Sequence, residues 1–173
     1  MISFDDSVAA ARADDVLELL GQNLKAEEGR LFHQWWHVED LAFTAMRELA
    51  AVEAAMADIL IIVIHQGRQL TGMVAAWLER VAALRKDRPK ALVALLDSAV
   101  NEPDAAQGLL SHLKQAAAVG QMDFFAARAR LERDEEAARA AGEIAAQLAL
   151  ARKNRRHPKS RGAEKAPAEG KRG

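Results

Sequence analysis

The chain has 173 residues, of which 50% are hydrophobic, a formal net charge of -1 and no cysteine. The absence of cysteine excludes disulfides, zinc-thiolate sites, iron-sulfur clusters and thiol nucleophiles. The length predicts one compact domain with an appendage, and the frequent alanine and scarce glycine favour packed helices in a bacterial protein.

The first predicted element is a helix that begins near the acidic start of the chain. Asp5, Asp6 and Ser7 are candidate N-caps, because their side-chain oxygens accept hydrogen bonds from free backbone N–H groups. Gly21 and Asn23 are suited to end this helix.

A longer helix is predicted from a heptad stripe in which apolar residues alternate spacings of four and three. Its members are Leu31, Trp35, Val38, Ala42, Ala45, Leu49, Val52, Met56, Ile59 and Val63. This spacing is typical of a helix with a narrow seam, as in bundles and antiparallel coiled coils. The segment ILIIVI at 59–64 is apolar on every side, which predicts that the helix passes through the middle of the core there.

Three or four further helices complete the prediction. Helical spacing runs from Met73 to Leu84, and Pro89 disfavours its continuation. A short helix over 90–100, another over 103–120 and a last one over about 121–152 follow. The predicted fold is therefore all-α: a helical bundle of five or six helices with one long heptad-patterned central helix.

The charge distribution predicts a boundary after residue 151. Residues 152–173 carry nine Lys or Arg and two Glu, a net charge of +7, which leaves -8 for residues 1–151. We predict an all-helical domain over 1–151 and a disordered basic tail over 152–173. Flexible cations favour contact with nucleic-acid phosphates. Solubility, an acidic partner and a membrane surface are the alternatives. The predicted nucleic-acid contacts are Arg152, Lys153, Arg155, Arg156, Lys159 and Arg161.

The segment FHQWWH at 32–37 is divided by the heptad frame. Trp35 belongs to the seam, whereas Phe32, Trp36 and Phe43 form a second apolar face. We predict that this candidate interaction face receives another helix of the same chain, with self-association or a partner protein as the alternative.

A polar strip is predicted on the far side of the same helix. His33, His37 and Asp40 share it, and two histidines four residues apart on a helix are able to begin a metal site. To complete its coordination, such a metal site also requires ligands from another helix or loop. A solvated strip is the favoured interpretation, a metal centre is the alternative, and no cofactor is predicted.

Two segments resemble parts of known all-helical families. MADILIIVIH at 56–65 resembles the hydrophobic helix of nucleotide pyrophosphatases of the MazG type. That resemblance implies magnesium-dependent hydrolysis of a triphosphate. Asp58 and Glu39 match one acid of each acidic pair in that family, and Ala55 and Trp36 stand at the partner positions.

The second segment, LLSHLKQAAAVG at 109–120, resembles the phosphorylated helix of histidine phosphotransfer domains. The resemblance implies that His112 accepts a phosphoryl group within a four-helix bundle. Gln115 occupies the position of the family's lysine.

Together these observations predict a cytoplasmic, non-enzymatic accessory protein. It would self-associate through its helical face and attach to nucleic acid through its tail, in plasmid maintenance, mobilisation or regulation. No export signal and no transmembrane segment are expected. The alternative is a small helical enzyme or phosphorelay protein that uses His112 or a degenerate pyrophosphatase site.

Overall fold

The computed structural model describes residues 1–24, 32–65, 71–84, 90–97 and 103–156. Strands and helices alternate along these ranges. They are β1 (Ile2–Phe4), α1 (Ser7–Leu24), β2 (Trp35–His37), α2 (Thr44–Met56), β3 (Ile59–Ile64), α3 (Thr71–Leu84), β4 (Lys90–Asp97), α4 (Pro103–Val119), β5 (Met122–Ala129) and α5 (Asp134–Arg156). A 3-10 turn over Val38–Ala42 joins β2 to α2.

The strands form one parallel sheet in the order β2-β1-β3-β4-β5. Helices α2, α3 and α4 lie over one face, and α1 and α5 over the other. In β3, Ile62 contributes to the first core cluster, whereas Ile61 and Val63 contribute to the second. Both faces of β3 are therefore buried, which explains why this strand is apolar at every position.

The predicted all-α bundle is wrong: the fold is a mixed α/β fold with a five-stranded parallel sheet and five helices among the described residues. The heptad stripe crosses β2, the 3-10 turn, α2 and β3, so neither a long central helix nor a coiled-coil seam through the core exists. The segment ILIIVI is β3. A continuous apolar run fits a strand buried on both faces as well as a buried helix, and the β-branched residues of this run favour the strand.

Two other predicted helices are also corrected. The segment predicted as a short helix over 90–100 forms β4 up to Asp97, and the segment predicted as a helix over 121–152 begins with β5. Its second part is helical, as α5. Helices α1, α3 and α4 lie where helices were predicted, because those segments have an apolar face at helical spacing and clear caps or breakers.

The carboxyl-terminal boundary is only partly described. Helix α5 continues to Arg156, so the first five residues of the predicted tail are helical, and residues 157–173 lie outside the described residues. None of the described helices combines the length and apolar character that crossing a bilayer requires.

The central position of β3 predicts a large effect of truncation there. Ile62→Ala is expected to lower the free energy of unfolding by about 2–5 kcal/mol, because the side chain is fully buried and its removal leaves a cavity. The measurement is urea denaturation followed by circular dichroism. Val119→Ala, at a side chain that is 70% exposed, serves as the control, with an expected change of about 0.5 kcal/mol or less. Equal losses in the two variants would contradict the placement of β3.

Candidate functional site

Polar side chains gather at the carboxyl edge of the sheet. Asp5 and Asp6 follow β1, His65 follows β3, and Asp97 ends β4. The β3–β4 register pairs Ile64 with Leu96, so His65 and Asp97 are the next residues along two neighbouring strands. The crevice outside the carboxyl ends of a parallel sheet is where α/β proteins bind ligands.

His65 is the centre of this cluster. Its Nδ1 lies 2.6 Å from Oδ2 of Asp6, and its backbone N–H donates to Oδ1 of Asp5 over 2.8 Å. The other ring nitrogen, Nε2, lies 3.4 Å from Oδ2 of Asp97 and 3.7 Å from Oε1 of Glu132. One ring nitrogen is therefore held by a short hydrogen bond, and the other faces carboxylates at longer range.

Asp6 has a second role as the N-cap of α1. Its Oδ1 accepts a hydrogen bond of 2.9 Å from the backbone N–H of Ala9. Burial raises the pKa of Asp6, but the hydrogen bonds from Ala9 and His65, together with the charge of His65, hold that pKa below its usual value. Asp6 is therefore ionised while it caps the helix and orients the imidazole.

Asp97 is a buried carboxylate, with only 1% of the residue exposed. Its Oδ2 accepts a hydrogen bond of 3.2 Å from the backbone N–H of Leu131. The carbonyl of Leu131 accepts a hydrogen bond of 2.7 Å from Nε of Arg12, which also pairs with Asp15 and Asp134. These contacts tie α1 and β4 to the connection between β5 and α5.

The surrounding carboxylates determine the charge of His65. Burial lowers the pKa of the imidazole, but the hydrogen bond and charge of Asp6, with the charges of Asp97 and Asp5, raise it above its usual value of 6.5. The protonated ring is therefore more populated at a given pH than that of an unperturbed histidine, and its charge balances part of the negative charge at this edge.

Comparison with solved structures identifies the architecture. A Trp repressor binding protein from Bacillus subtilis is 14% identical, with a TM-score of 0.53 over 83% of this chain and 95% of that chain. An oxidoreductase from Corynebacterium diphtheriae is 15% identical, with a TM-score of 0.53 over 86% of this chain and 96% of that chain. Oxidised flavodoxin 2 from Bacillus cereus is 14% identical, with a TM-score of 0.48 over 88% and 97% of the two chains.

The strand order 2-1-3-4-5 agrees with these similarities. The fold is flavodoxin-like. No protein-family model matches the chain, and no curated protein matches it by sequence. At this level of identity the similarities establish the fold of the chain and leave its chemistry to be argued from its own residues.

The predicted function is corrected by the same findings. The predicted non-enzymatic accessory protein, tethered to nucleic acid, depended on an all-α helical body, and the body has a flavodoxin-like α/β fold instead. The two alternatives, a histidine phosphotransfer protein and a nucleotide pyrophosphatase of the MazG type, also required an all-helical fold, and this chain does not have one. His112 is exposed on α4, where its Nδ1 lies 2.7 Å from the carbonyl oxygen of Gly108 in the preceding turn.

The residues that resemble the pyrophosphatase site are also separated by the fold. Asp58 lies between α2 and the start of β3, at the amino edge of the sheet, and Glu39 lies in the 3-10 turn that follows the carboxyl end of β2. Neither Asp58 nor Glu39 therefore lies on a helix like the one that carries the acidic pairs of the pyrophosphatases.

The flavin of flavodoxins lies at the β1/β3 switch point, so we tested whether this edge fits an FMN phosphate. A phosphate at a helix amino end needs free backbone N–H donors. In this chain only Asp5 and Asp6 connect β1 to α1, and the Asp6 side chain already accepts from the N–H of Ala9. Two carboxylates at that position repel an anion. The described residues of this edge therefore do not fit the phosphate of FMN.

The predicted interaction face is divided between surface and core. Phe32 and Phe43 are exposed, whereas Trp36 is buried in the core under α2 and α3, where its Nε1 donates to Oε2 of Glu53 over 2.8 Å. Trp35, predicted in the core seam, is partly buried on the other sheet face, with its ring edge-on to Phe4 at 5.7 Å. The reversal follows from the strand geometry of β2, in which successive side chains point to opposite faces.

The candidate metal site of His33, His37 and Asp40 was predicted on one face of a helix, and that helix is not formed. His33 precedes β2, His37 ends it, and Asp40 lies in the 3-10 turn. His37 Nδ1 accepts from the backbone N–H of Glu39, and the His33 ring stands edge-on to Trp35. Among the residues that the structure describes, no group of three or more His, Asp or Glu is arranged to hold a metal ion.

The predicted nucleic-acid contacts lie at and beyond the end of α5. Arg152, Lys153, Arg155 and Arg156 belong to its last turns. Lys159 and Arg161 lie outside the described residues. Their contact with nucleic acid stays a prediction.

The sequence contains a signal for the cluster that the helical interpretation missed. Each of three apolar runs is followed or ended by a titratable side chain: Asp5 and Asp6 after β1, His65 after β3 and Asp97 at the end of β4. Once the runs are interpreted as parallel strands, these residues must meet at one edge. Interpreted as helices, the same runs place them far apart.

The raised pKa of His65 predicts a pH dependence of stability. A folded-state pKa above the unfolded value means that protonated His65 stabilises the fold fully below about pH 6.5. This contribution is lost as the pH rises through the raised pKa. The difference in free energy of unfolding between the wild type and His65→Gln should therefore shrink as the pH rises from about 6.5 through the raised pKa.

Urea denaturation at a series of pH values measures this difference. His112→Gln is the control, since His112 is exposed on α4 and its Nδ1 lies beside the carbonyl oxygen of Gly108. A wild-type advantage over His65→Gln that grows with pH would contradict the ion-pair arrangement.

The acidic β1–α1 connection also predicts poor recognition of FMN. FMN should bind no more tightly than riboflavin, which lacks the phosphate, because the carboxylates of Asp5 and Asp6 repel an anion at this edge. Quenching of flavin fluorescence during protein titration measures both affinities. FMN binding that is about tenfold tighter or more, equivalent to about 1.4 kcal/mol, would show that the phosphate is held.

Proposed function

We propose that the protein is an enzyme that transfers a proton to or from a small molecule bound at the carboxyl edge of its sheet, with His65 as the acid–base residue. The observation that carries the proposal is the Asp6–His65–Asp97 arrangement at the β1/β3 switch point. A histidine aligned by a carboxylate at one ring nitrogen leaves its other nitrogen to exchange a proton.

The two ring nitrogens of His65 have different environments that suit different roles. The 2.6 Å contact between Nδ1 and Asp6 selects the tautomer or charge state in which Nδ1 carries a proton. The distances of 3.4 Å and 3.7 Å from Nε2 to Asp97 and Glu132 are long for strong hydrogen bonds. Nε2 is therefore the nitrogen that would exchange a proton with a substrate.

The burial of this cluster supports a functional role over a purely stabilising one. Removing a carboxylate such as Asp97 from water carries a penalty of several kcal/mol, which ion pairing offsets only in part. Well-packed apolar residues stabilise a core at least as well. Titratable groups with shifted pKa values in a crevice are characteristic of catalytic sites.

The charge of the edge limits the substrate class. Asp5, Asp6, Asp97 and Glu132 surround one imidazole, so the cluster is net negative even when His65 is protonated. An anionic substrate would be repelled. The proposed substrate is therefore uncharged or cationic.

The proposed proton transfer involves only His65 and the substrate. Protonated His65 donates the Nε2 proton to a basic atom of the substrate, and the ring becomes neutral. Asp6 stays ionised throughout, keeps its bond to Nδ1 and stabilises the imidazolium when the proton returns. In the reverse direction neutral His65 accepts a proton from the substrate at Nε2.

The test is incubation of the purified protein in D₂O with a polar metabolite extract, followed by mass spectrometry for consumed compounds or compounds that gain deuterium. The wild type should convert at least one compound. His65→Gln should lower that rate by roughly 10²–10⁴-fold, the usual contribution of general acid–base catalysis. Asp6→Asn should also lower it, because the bond that orients Nδ1 loses its charge.

His112→Gln is the matched control, since the same change is made at an exposed histidine, and its rate should equal the wild-type rate. Circular dichroism verifies that all variants are folded. A wild type that converts nothing, or a His65→Gln variant as fast as the wild type, would leave the cluster with a structural role only.

A further inference from the structure

Helix α2 is apolar on the side that faces away from its own chain. Its inner face consists of Ala50, Ala51 and Ala54, all fully buried. Its outer face carries much larger apolar side chains, each between 38% and 70% exposed: Phe43 just before the helix, then Met46, Leu49, Val52 and Met56. A surface helix of a monomer has the opposite arrangement, with its large apolar residues turned to the core.

The spacing of this outer face is that of a helix-pairing seam. Ala45, Leu49, Val52 and Met56 are separated by four, three and four residues, and all four are exposed. Together with Phe43 and Met46 they form what we term the α2 stripe. Ala45, Leu49, Val52 and Met56 belong to the heptad pattern visible in the sequence, and the fold leaves this part of the pattern at the surface. A seam of this spacing fits another helix.

The charged residues beside the α2 stripe form ion pairs or hydrogen bonds within their own chain. Glu48 pairs with Arg80 over 2.7 Å, and Glu53 accepts from Trp36 over 2.8 Å. The stripe itself carries no charge, so an equally uncharged, apolar helix matches it better than an acidic or basic peptide does.

The exposed area of the α2 stripe is close to the minimum that a dimer interface requires. Applying the exposed fractions to large side chains of roughly 150–250 Å² gives about 500 Å² of apolar surface on one copy. Two copies would bury about 1,000 Å² before any polar rim is added, which reaches the lower limit for a specific interface. A patch of about 500 Å² is among the larger apolar patches on a monomer surface, and such patches are often functional.

The carboxyl-terminal segment of the chain is a poor alternative occupant. Residues 157–173 contain no Leu, Ile, Val, Met, Phe or Trp. Such a segment lacks the side chains that could bury a seam of Leu, Val and Met.

We propose that the α2 stripe is a homodimer interface, in which α2 of a second copy packs against it across a two-fold axis. A two-fold interface uses the same patch on both copies, so one seam of heptad spacing supplies both halves. Each copy then buries apolar surface that its own fold leaves in water. This inference does not depend on the proposed chemistry of His65, which lies in a separate part of the molecule.

Sedimentation equilibrium over a range of protein concentrations tests the proposal. The wild type should show reversible dimerisation. Leu49→Glu should raise the dissociation constant by roughly 30-fold or more, because a charge placed in the middle of the seam has no partner. Leu49→Met, which keeps the stripe apolar, should remain dimeric.

Leu150→Glu is the matched control, because Leu150 is 59% exposed on α5 and Leu49 is 50% exposed on α2. Its dissociation constant should equal that of the wild type. Circular dichroism and thermal melting verify folding, and Val52→Glu replaces Leu49→Glu if the latter does not fold. A wild type that is monomeric at all concentrations, or a Leu150→Glu variant that dissociates as readily as Leu49→Glu, would overturn the proposal.

Discussion

Parallel pairing of β1 with β3 is the constraint on which the candidate site depends. The register places Phe4 beside Val63, so Asp5 and Asp6 leave the sheet at the same edge as His65. The β3–β4 register then sets Asp97 beside His65. A slip of one residue would turn the buried side chains of β3 towards the wrong face. Burial of the sheet therefore fixes the positions of the titratable groups as well.

The same contacts couple the site to the fold. Asp6 caps α1 and also holds the imidazole of His65, while Asp97 binds the backbone of the β5–α5 connection. The flavodoxin-like fold thus carries a group of acidic side chains at the β1/β3 switch point, where flavodoxins bind FMN. Chemistry depends on the residues at the edge of the sheet, and here those residues favour proton exchange over anion binding.

Helix α2 shows how the fold distributes apolar side chains between core and surface. The strands supply most of the bulk of the core, so α2 meets the rest of its layer through alanines, and its larger side chains turn outward. Two apolar faces on one helix need two partners. The part of the heptad pattern that lies in α2 is the part that the proposed seam between two chains accounts for, whereas Val38 and Val63 of the same pattern are buried within the chain.

Part of this structure was evident from the sequence by itself. The absence of cysteine excludes thiol chemistry, and the acidic residues after Phe4 mark a helix start that Asp6 indeed caps. Helices α1, α3 and α4 were predicted at their observed places, because caps, breakers and one-sided apolar spacing are local signals.

Only the tertiary structure decided that ILIIVI is a strand and that His65 meets Asp6, 59 residues away in the chain. A strand buried on both faces has no alternation to distinguish it from a buried helix. Contacts at the edge of a sheet depend on which strands are neighbours and in what register. Neither is contained in the spacing of residues along a single segment, because both are set by the burial of the whole sheet between its two helix layers.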